Sequence, residues 1–174
     1  MSETNGTHEP SPERIEAFMQ DQIDLIAEHG WTVIAVFGDE DDNQFAYTVG
    51  LADHDVELVV VGLDPVRAHG ILGAARKAII DGKVILPPAL VSTVVSYDVL
   101  APLQSDVGDP TTPLPVSFNR ITAKENVPVN VAHALEGDRE WMLWQLCWPD
   151  TAGRLPDHPD YDLTLLRSQV MPGR

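Results

Sequence analysis

The chain alternates between two capped, helix-period stretches and several short β-branched runs. Ser11 offers an N-cap and Pro12 a first helical position, followed by apolar residues at Ile15, Phe18, Met19, Ile23 and Ile26. That spacing is one face of a 3.6-residue period and predicts an amphipathic helix over 12–28, stopped by Gly30. Trp31 to Phe37 (WTVIAVF) is apolar on both faces and rich in β-branched residues, which predicts a buried strand. Gln44 to Val49 reads as its hairpin partner, and Val56 to Val61 (VELVVV) as a third strand. Asp64-Pro65 repeats the cap-plus-proline start. Ala68, Ile71, Leu72, Ala75, Ala78 and Ile79 then form a narrow stripe that predicts a second helix over 65–81, ended by Gly82.

Further along, Lys83 to Leu86 and Leu90 to Leu100 read as strands separated by Pro87-Pro88, and Gln104 to Pro115 as a loop. Val116 to Thr122 predicts a short strand, and 125–139 carries a weak helical pattern through Val131, Ala134 and Leu135. Met142 to Trp148 is the last clear strand, and little periodicity follows Asp157. The connections between the first strands are too short for parallel crossovers. The expected fold is therefore α+β, a mostly antiparallel sheet flanked by two amphipathic helices. Residues 1–11 are expected to be a disordered leader and 12–174 a single domain.

Charge narrows the function classes. Asp and Glu number 27 against 11 for Lys and Arg, a net charge of −16. Such a surface repels phosphate backbones, so direct nucleic-acid binding is not expected. Solubility is the plain consequence of that charge, and steering of a basic partner is the sharper one. No apolar run is long enough for a membrane span, and the polar N-terminus lacks a secretory signal's apolar segment, so a cytoplasmic location is expected. A single cysteine, Cys147, leaves no internal disulfide and no CxxC metal site.

Three of the four tryptophans lie in Trp141 to Trp148, ahead of a Pro-Asp turn and a Gly-Arg pair. Tryptophan brings large apolar area together with an N–H that needs a partner, so this cluster marks either the core or a binding surface. By strand alternation Trp144 and Trp148 share one face, and Leu143, Gln145 and Cys147 the other. Asp150 is placed to accept backbone N–H groups in a turn, and Arg154 to pair with Asp150 or Asp157. Alternatively, Arg154 beside tryptophans is the composition of an interface hot spot. Tyr47-Thr48-x-Gly50 forms a second constellation. Gly50 permits positive φ or close backbone approach, and Glu57 on the next strand is a suitable partner for the Tyr47 hydroxyl.

Other chemistry is thinly supported. The run Asp39, Glu40, Asp41, Asp42, Asn43 carries hard oxygen ligands but lacks the alternation and glycine of an EF-hand, so a solvated hairpin tip is expected. His54 and Glu57 with Asp53 and Asp55 fall short of a zinc ligand set. No phosphate-binding glycine loop and no nucleophile elbow occurs. No cofactor and no metal is expected.

The pieces HGWTVIAV, FAYTVGL, VELVVVGL and WQLCWPDTAGRLP resemble the family called domain of unknown function 4262, over roughly Glu28 to Pro156. The resemblance implies a small bacterial or phage protein and no assigned reaction. The chain departs from that pattern at Val56, where the family has proline, and at Asp157, where it has an aromatic. The expected function is a protein-interaction or regulatory module with a protein partner, basic in character, bound through Tyr47, Glu57, Trp144, Trp148, Asp150 and Arg154. An enzyme acting on a metabolite through a Tyr47/Glu57/Asp150/Arg154 pocket is one alternative, and a structural, homo-oligomeric protein is another. The catalytic question stays open at this point.

Overall fold

A computed structural model describes residues 10–38, 43–96 and 115–170. Helix α1, Pro12–His29, starts with proline in its first turn and ends at Gly30, whose N–H bonds to the Ile26 carbonyl at 2.7 Å. Strands β1 (Thr32–Val36) and β2 (Phe45–Val49) form the expected antiparallel pair, and β3 (Val56–Val61) adds to β2 in the same sense. Helix α2, Pro65–Ile80, is capped by Asp64, which accepts the Val66 and Arg67 N–H groups at 3.1 Å each. Its buried face is Ala68, Ile71, Leu72, Ala74, Ala75 and Ala78. Small side chains there let the helix lie close on the sheet.

Among the described residues, strands β4 (Ser92–Ser96), β5 (Pro115–Ile121) and β6 (Met142–Cys147) complete one six-stranded sheet in the order β1-β2-β3-β6-β5-β4. All neighbours run antiparallel except β3 and β6, which are parallel and join the two halves. The fold is thus α+β with a mixed, mostly antiparallel sheet. One face of the sheet packs Leu58, Val60, Phe118, Trp144 and Leu146 against α2. On the other face Tyr47, Val59, Val61, Leu143 and Trp141 meet Met19 and Ile26 of α1 and Val131 and Ala132 of helix α3 (Asn130–Glu136). Alternate residues of each strand feed alternate cores, which is why VELVVV is apolar almost throughout.

Some expectations are corrected and others narrowed. Lys83 to Leu86 forms no strand. Its Lys83 and Val84 N–H groups both turn back to the Ala78 carbonyl, and Val84 and Leu86 are buried beneath α2. Its alternation serves to anchor a turn. The strand read over Leu90–Leu100 is described only as Ser92–Ser96. The ambiguous 125–139 stretch resolves into a 3-10 turn, Lys124–Asn126, and α3. A fourth helix, α4 (Leu163–Ser168), stands in the tail that showed little periodicity, with Asp162 capping the Thr164 N–H at 2.8 Å. The position of β1 also differs from a buried strand, because it is an edge of the sheet with Ala35 and Phe37 exposed. Residues 1–9 of the leader expected over 1–11, the acidic residues 39–42, residues 97–114, which hold the end of the expected strand and most of the expected loop, and residues 171–174 lie outside the described residues. Among the described residues no helix is long and apolar enough to cross a membrane.

Candidate functional site

Glu57, near the start of β3, is fully buried (0% exposed). Its Oε1 accepts the N–H groups of Gly50 at 2.9 Å and Leu51 at 2.8 Å. Its Oε2 accepts the Thr48 hydroxyl, whose oxygen in turn accepts the Leu58 N–H. The β2–β3 ladder runs from Phe45↔Val61 to Tyr47↔Val59, so these side-chain bonds extend the pairing where the ladder ends. Gly50 has φ +107, and a Cβ there would sit 2.8 Å from the Gly30 carbonyl oxygen. Only glycine fits that approach, as the sequence reading allowed. Burial pushes the Glu57 carboxyl up to about 7, against the bonds from Thr48, Leu51 and Gly50 and with the help of the nearby Glu136 charge.

The pairing read for Tyr47 is corrected. Its hydroxyl accepts the Val131 N–H at 3.2 Å and holds the first turn of α3, while Glu57 takes Thr48 as its partner. Burial pushes Tyr47 up to about 12 despite that bond. Successive residues on a strand point to opposite sides, so only one of Tyr47 and Thr48 could meet Glu57, and the local pattern did not say which. Asp53 is engaged by Arg139 at 2.7 Å, and among the described residues no group of three His, Cys, Asp or Glu is placed to hold a metal.

The tryptophan segment is mostly interior. Trp144 is 0% exposed in the α2-side core, with Trp148 partly buried beside it. Trp148 Nε1 donates to the Val61 carbonyl at 3.1 Å, across to the end of β3. The Trp144 Nε1 is the buried side-chain polar atom left without a partner among the described residues. Asp150, 1% exposed, accepts the Ala152 N–H, the Arg154 N–H and Arg154 Nε at 2.8–2.9 Å. Burial pulls its carboxyl up, but the bonds from Arg154 and Ala152 together outweigh this and hold it below its ordinary value. This is the loop staple that the sequence offered as one of two readings of Arg154.

Residues that sequence reasoning passed over close the same end of the sheet. Gln169 offers its side chain to both the N–H and the carbonyl of Trp148 at 3.1 Å, and also meets the Tyr161 hydroxyl. Its own carbonyl accepts Gln145 Nε2 at 2.7 Å. A Cβ at Gly62 would run into the Ser168 carbonyl, so glycine admits α4 over the end of β3. The signals were faint: an Asp-x-Thr cap at Asp162 and an isolated glutamine. The six candidate residues are therefore dispersed: Tyr47 under α3, Glu57 at the Gly50 turn, Trp144 and Trp148 at the α2-side core, and Asp150 with Arg154 in the turn after β6. A cavity of about 270 Å³ opens elsewhere, with His54, Ile79, Ile85 and Met142 in its wall, and none of the six lines it.

The α1–β1 edge is built differently. Gln22 is the buried residue of α1, and it accepts the Thr32 hydroxyl at 3.1 Å. Met19 and Ile26 reach the core. Phe18 and Leu25 remain 44% and 39% exposed, Ile15 and Ile23 are also exposed, and Phe37 just after β1 is 74% exposed. On a helical wheel Phe18 and Leu25 lie on one side of the covered centre and Ile23 on the other, with Ile15 over the centre near the helix start, so the apolar arc of α1 is wider than the part that is covered.

The family described as "Domain of unknown function (DUF4262)" matches residues 25–162, and the chain belongs to it. No curated protein and no solved structure matches the chain.

Proposed function

We propose that this member of the family is a protein-binding module, whose contact surface is the uncovered apolar arc of α1. The observation that carries the reading is the half-exposure of Phe18 and Leu25, two turns apart on one flank of a helix whose covered centre is Met19, Gln22 and Ile26. Contiguous exposed apolar residues rimmed by polar ones mark interaction sites. Asp21 and Glu28 lie on the Phe18/Leu25 side of the helix and Glu16 beside Ile23, Glu13 and Asp24 lie on the face turned from the sheet, and the chain carries a net charge of −16, so a basic partner is favoured in rate and in specificity. The turn holding Asp150 and Arg154 spends its polar groups on itself, which moves the contact away from the tryptophan segment. Tyr47, Glu57 and Arg154 are not gathered into one pocket, which takes away the support for an enzyme working through them.

The test is affinity capture from a bacterial lysate with the wild type, the double variant Phe18→Glu/Leu25→Glu, and Arg154→Ala. One defined protein should be retained by the wild type and by Arg154→Ala and lost by the double variant. The double variant should keep its melting temperature within a few degrees, since half-exposed sites tolerate charge. Retention by the double variant, or loss with Arg154→Ala alone, would overturn the proposal.

A further inference from the structure

The edge beside α1 has its own anomaly. Natural edge strands are blunted by lysine, proline, bulges or inward charges, because an open row of N–H and C=O groups invites another strand. Thr32–Val36 (TVIAV) carries none of these and pairs along its whole length only with β2 among the described residues. The opposite edge, Ser92–Ser96 (STVVS), begins and ends with serine. The stretch around β1 has the two-sided apolar composition of a strand flanked on both sides, yet it lies outermost. Ala35 and Phe37 are exposed on the sheet face opposite to Thr32 and Ile34, which meet α1, while Phe18, Ile23 and Leu25 are exposed on the helix itself.

We infer that the partner docks by adding an extended, lysine- or arginine-bearing strand to β1, with its alternate side chains taken up by the apolar arc of α1. This rests on the protein-binding reading and names its mode. Strand addition draws affinity from main-chain hydrogen bonds and specificity from contacts to every second side chain, and this edge offers both. The charge decides the occupant. A second copy would set one acidic helix, with Glu13, Glu16, Asp21, Asp24 and Glu28 against Arg14 alone among lysines and arginines, beside another. A basic strand meets those carboxylates with opposite charge, and its binding weakens as salt screens them.

The test uses a synthetic peptide of alternating valine and threonine flanked by lysines. Its controls are the same peptide N-methylated on alternate backbone nitrogens and a version flanked by glutamates. Fluorescence anisotropy reads affinity and hydrogen exchange reads the β1 amides. The lysine-flanked peptide should bind and slow exchange within Thr32–Val36. Both control peptides should bind at least about tenfold more weakly, and Ala35→Lys, at an exposed position, should weaken the lysine peptide by a similar factor. No binding, equal binding by the N-methylated peptide, or binding without β1 protection would overturn strand addition. So would a dimer by light scattering whose β1 amides are protected without peptide. Strand addition alone fails if the captured partner is lost with Phe18→Glu/Leu25→Glu yet kept by Ala35→Lys. If neither variant changes what is captured, the protein-binding reading fails with it.

Discussion

Glu57 and Asp150 are two buried carboxylates, each collecting three hydrogen bonds from groups close in the chain. Two of the three come from backbone N–H groups in both cases. The third is a neutral hydroxyl, Thr48, for Glu57, and the charged Arg154 guanidinium for Asp150. Burial raises both carboxyls first. At Asp150 the bonds and the cation win, so it lies below its ordinary value. At Glu57 no cation answers and Glu136 adds a like charge, so burial wins and the group rises to about 7. Hydrogen bonds alone organise a buried carboxylate, and a charge of opposite sign is what keeps it ionised. One end of the sheet thus carries a settled charge, and the other a group that titrates near neutrality.

Glu57→Ala is expected to have the largest effect on that contrast. It strands the Gly50 and Leu51 N–H groups and the Thr48 hydroxyl in the interior, for a loss of roughly 3 kcal/mol or more by urea unfolding. A loss below about 1 kcal/mol would mean that the Gly50 turn is held by something else.

The pH profile sharpens the comparison. The folded value of Glu57 is raised from 4.5 to about 7, so its share of stability is full below 4.5 and is lost as pH rises through 7. That share is of the order of 3 kcal/mol, and Glu57→Gln should flatten the decline between those limits. Asp150 works with the opposite sign. Its folded value is lowered, so its share is present above 3.8 and is lost as pH falls through the folded value. Asp150→Asn should therefore blunt only the acid limb. Urea midpoints measured from pH 3 to pH 8 would check both, and a wild-type profile flat between pH 4.5 and 7 would refute the assignment of Glu57.

The smallest effect belongs to Arg154→Ala. Its side chain is 35% exposed, so the ion pair with Asp150 is partly screened and its loss should cost about 1 kcal/mol or less. The backbone bonds to Asp150 remain in that variant. A cost as large as that of Glu57→Ala would show that the cation, more than the turn, holds the loop.

Much of the fold could be read from local signals. Asp64-Pro65 and the 3.6-residue stripe placed α2 within a residue of its observed ends, because a cap and a period are written in adjacent residues. Alternation in WQLC placed Trp144 and Gln145 on opposite faces, and the structure puts Trp144 in the α2-side core. The need for glycine at 50 was visible as well. Whether the tryptophans were core or surface was not, since aromatic density is the same in both.

The sequence determined which side chains share a face and where the chain turns, since both follow from local geometry and capping. The tertiary structure alone decided that β3 and β6 pair in parallel, that β1 falls at an edge, that Glu57 takes Thr48 over Tyr47, and that Gln169 closes the end beyond β6. Each of these depends on which distant backbone supplies the hydrogen-bonding neighbour. A strand's own residues carry the same alternation whichever neighbour arrives, so that choice leaves no mark in the local pattern.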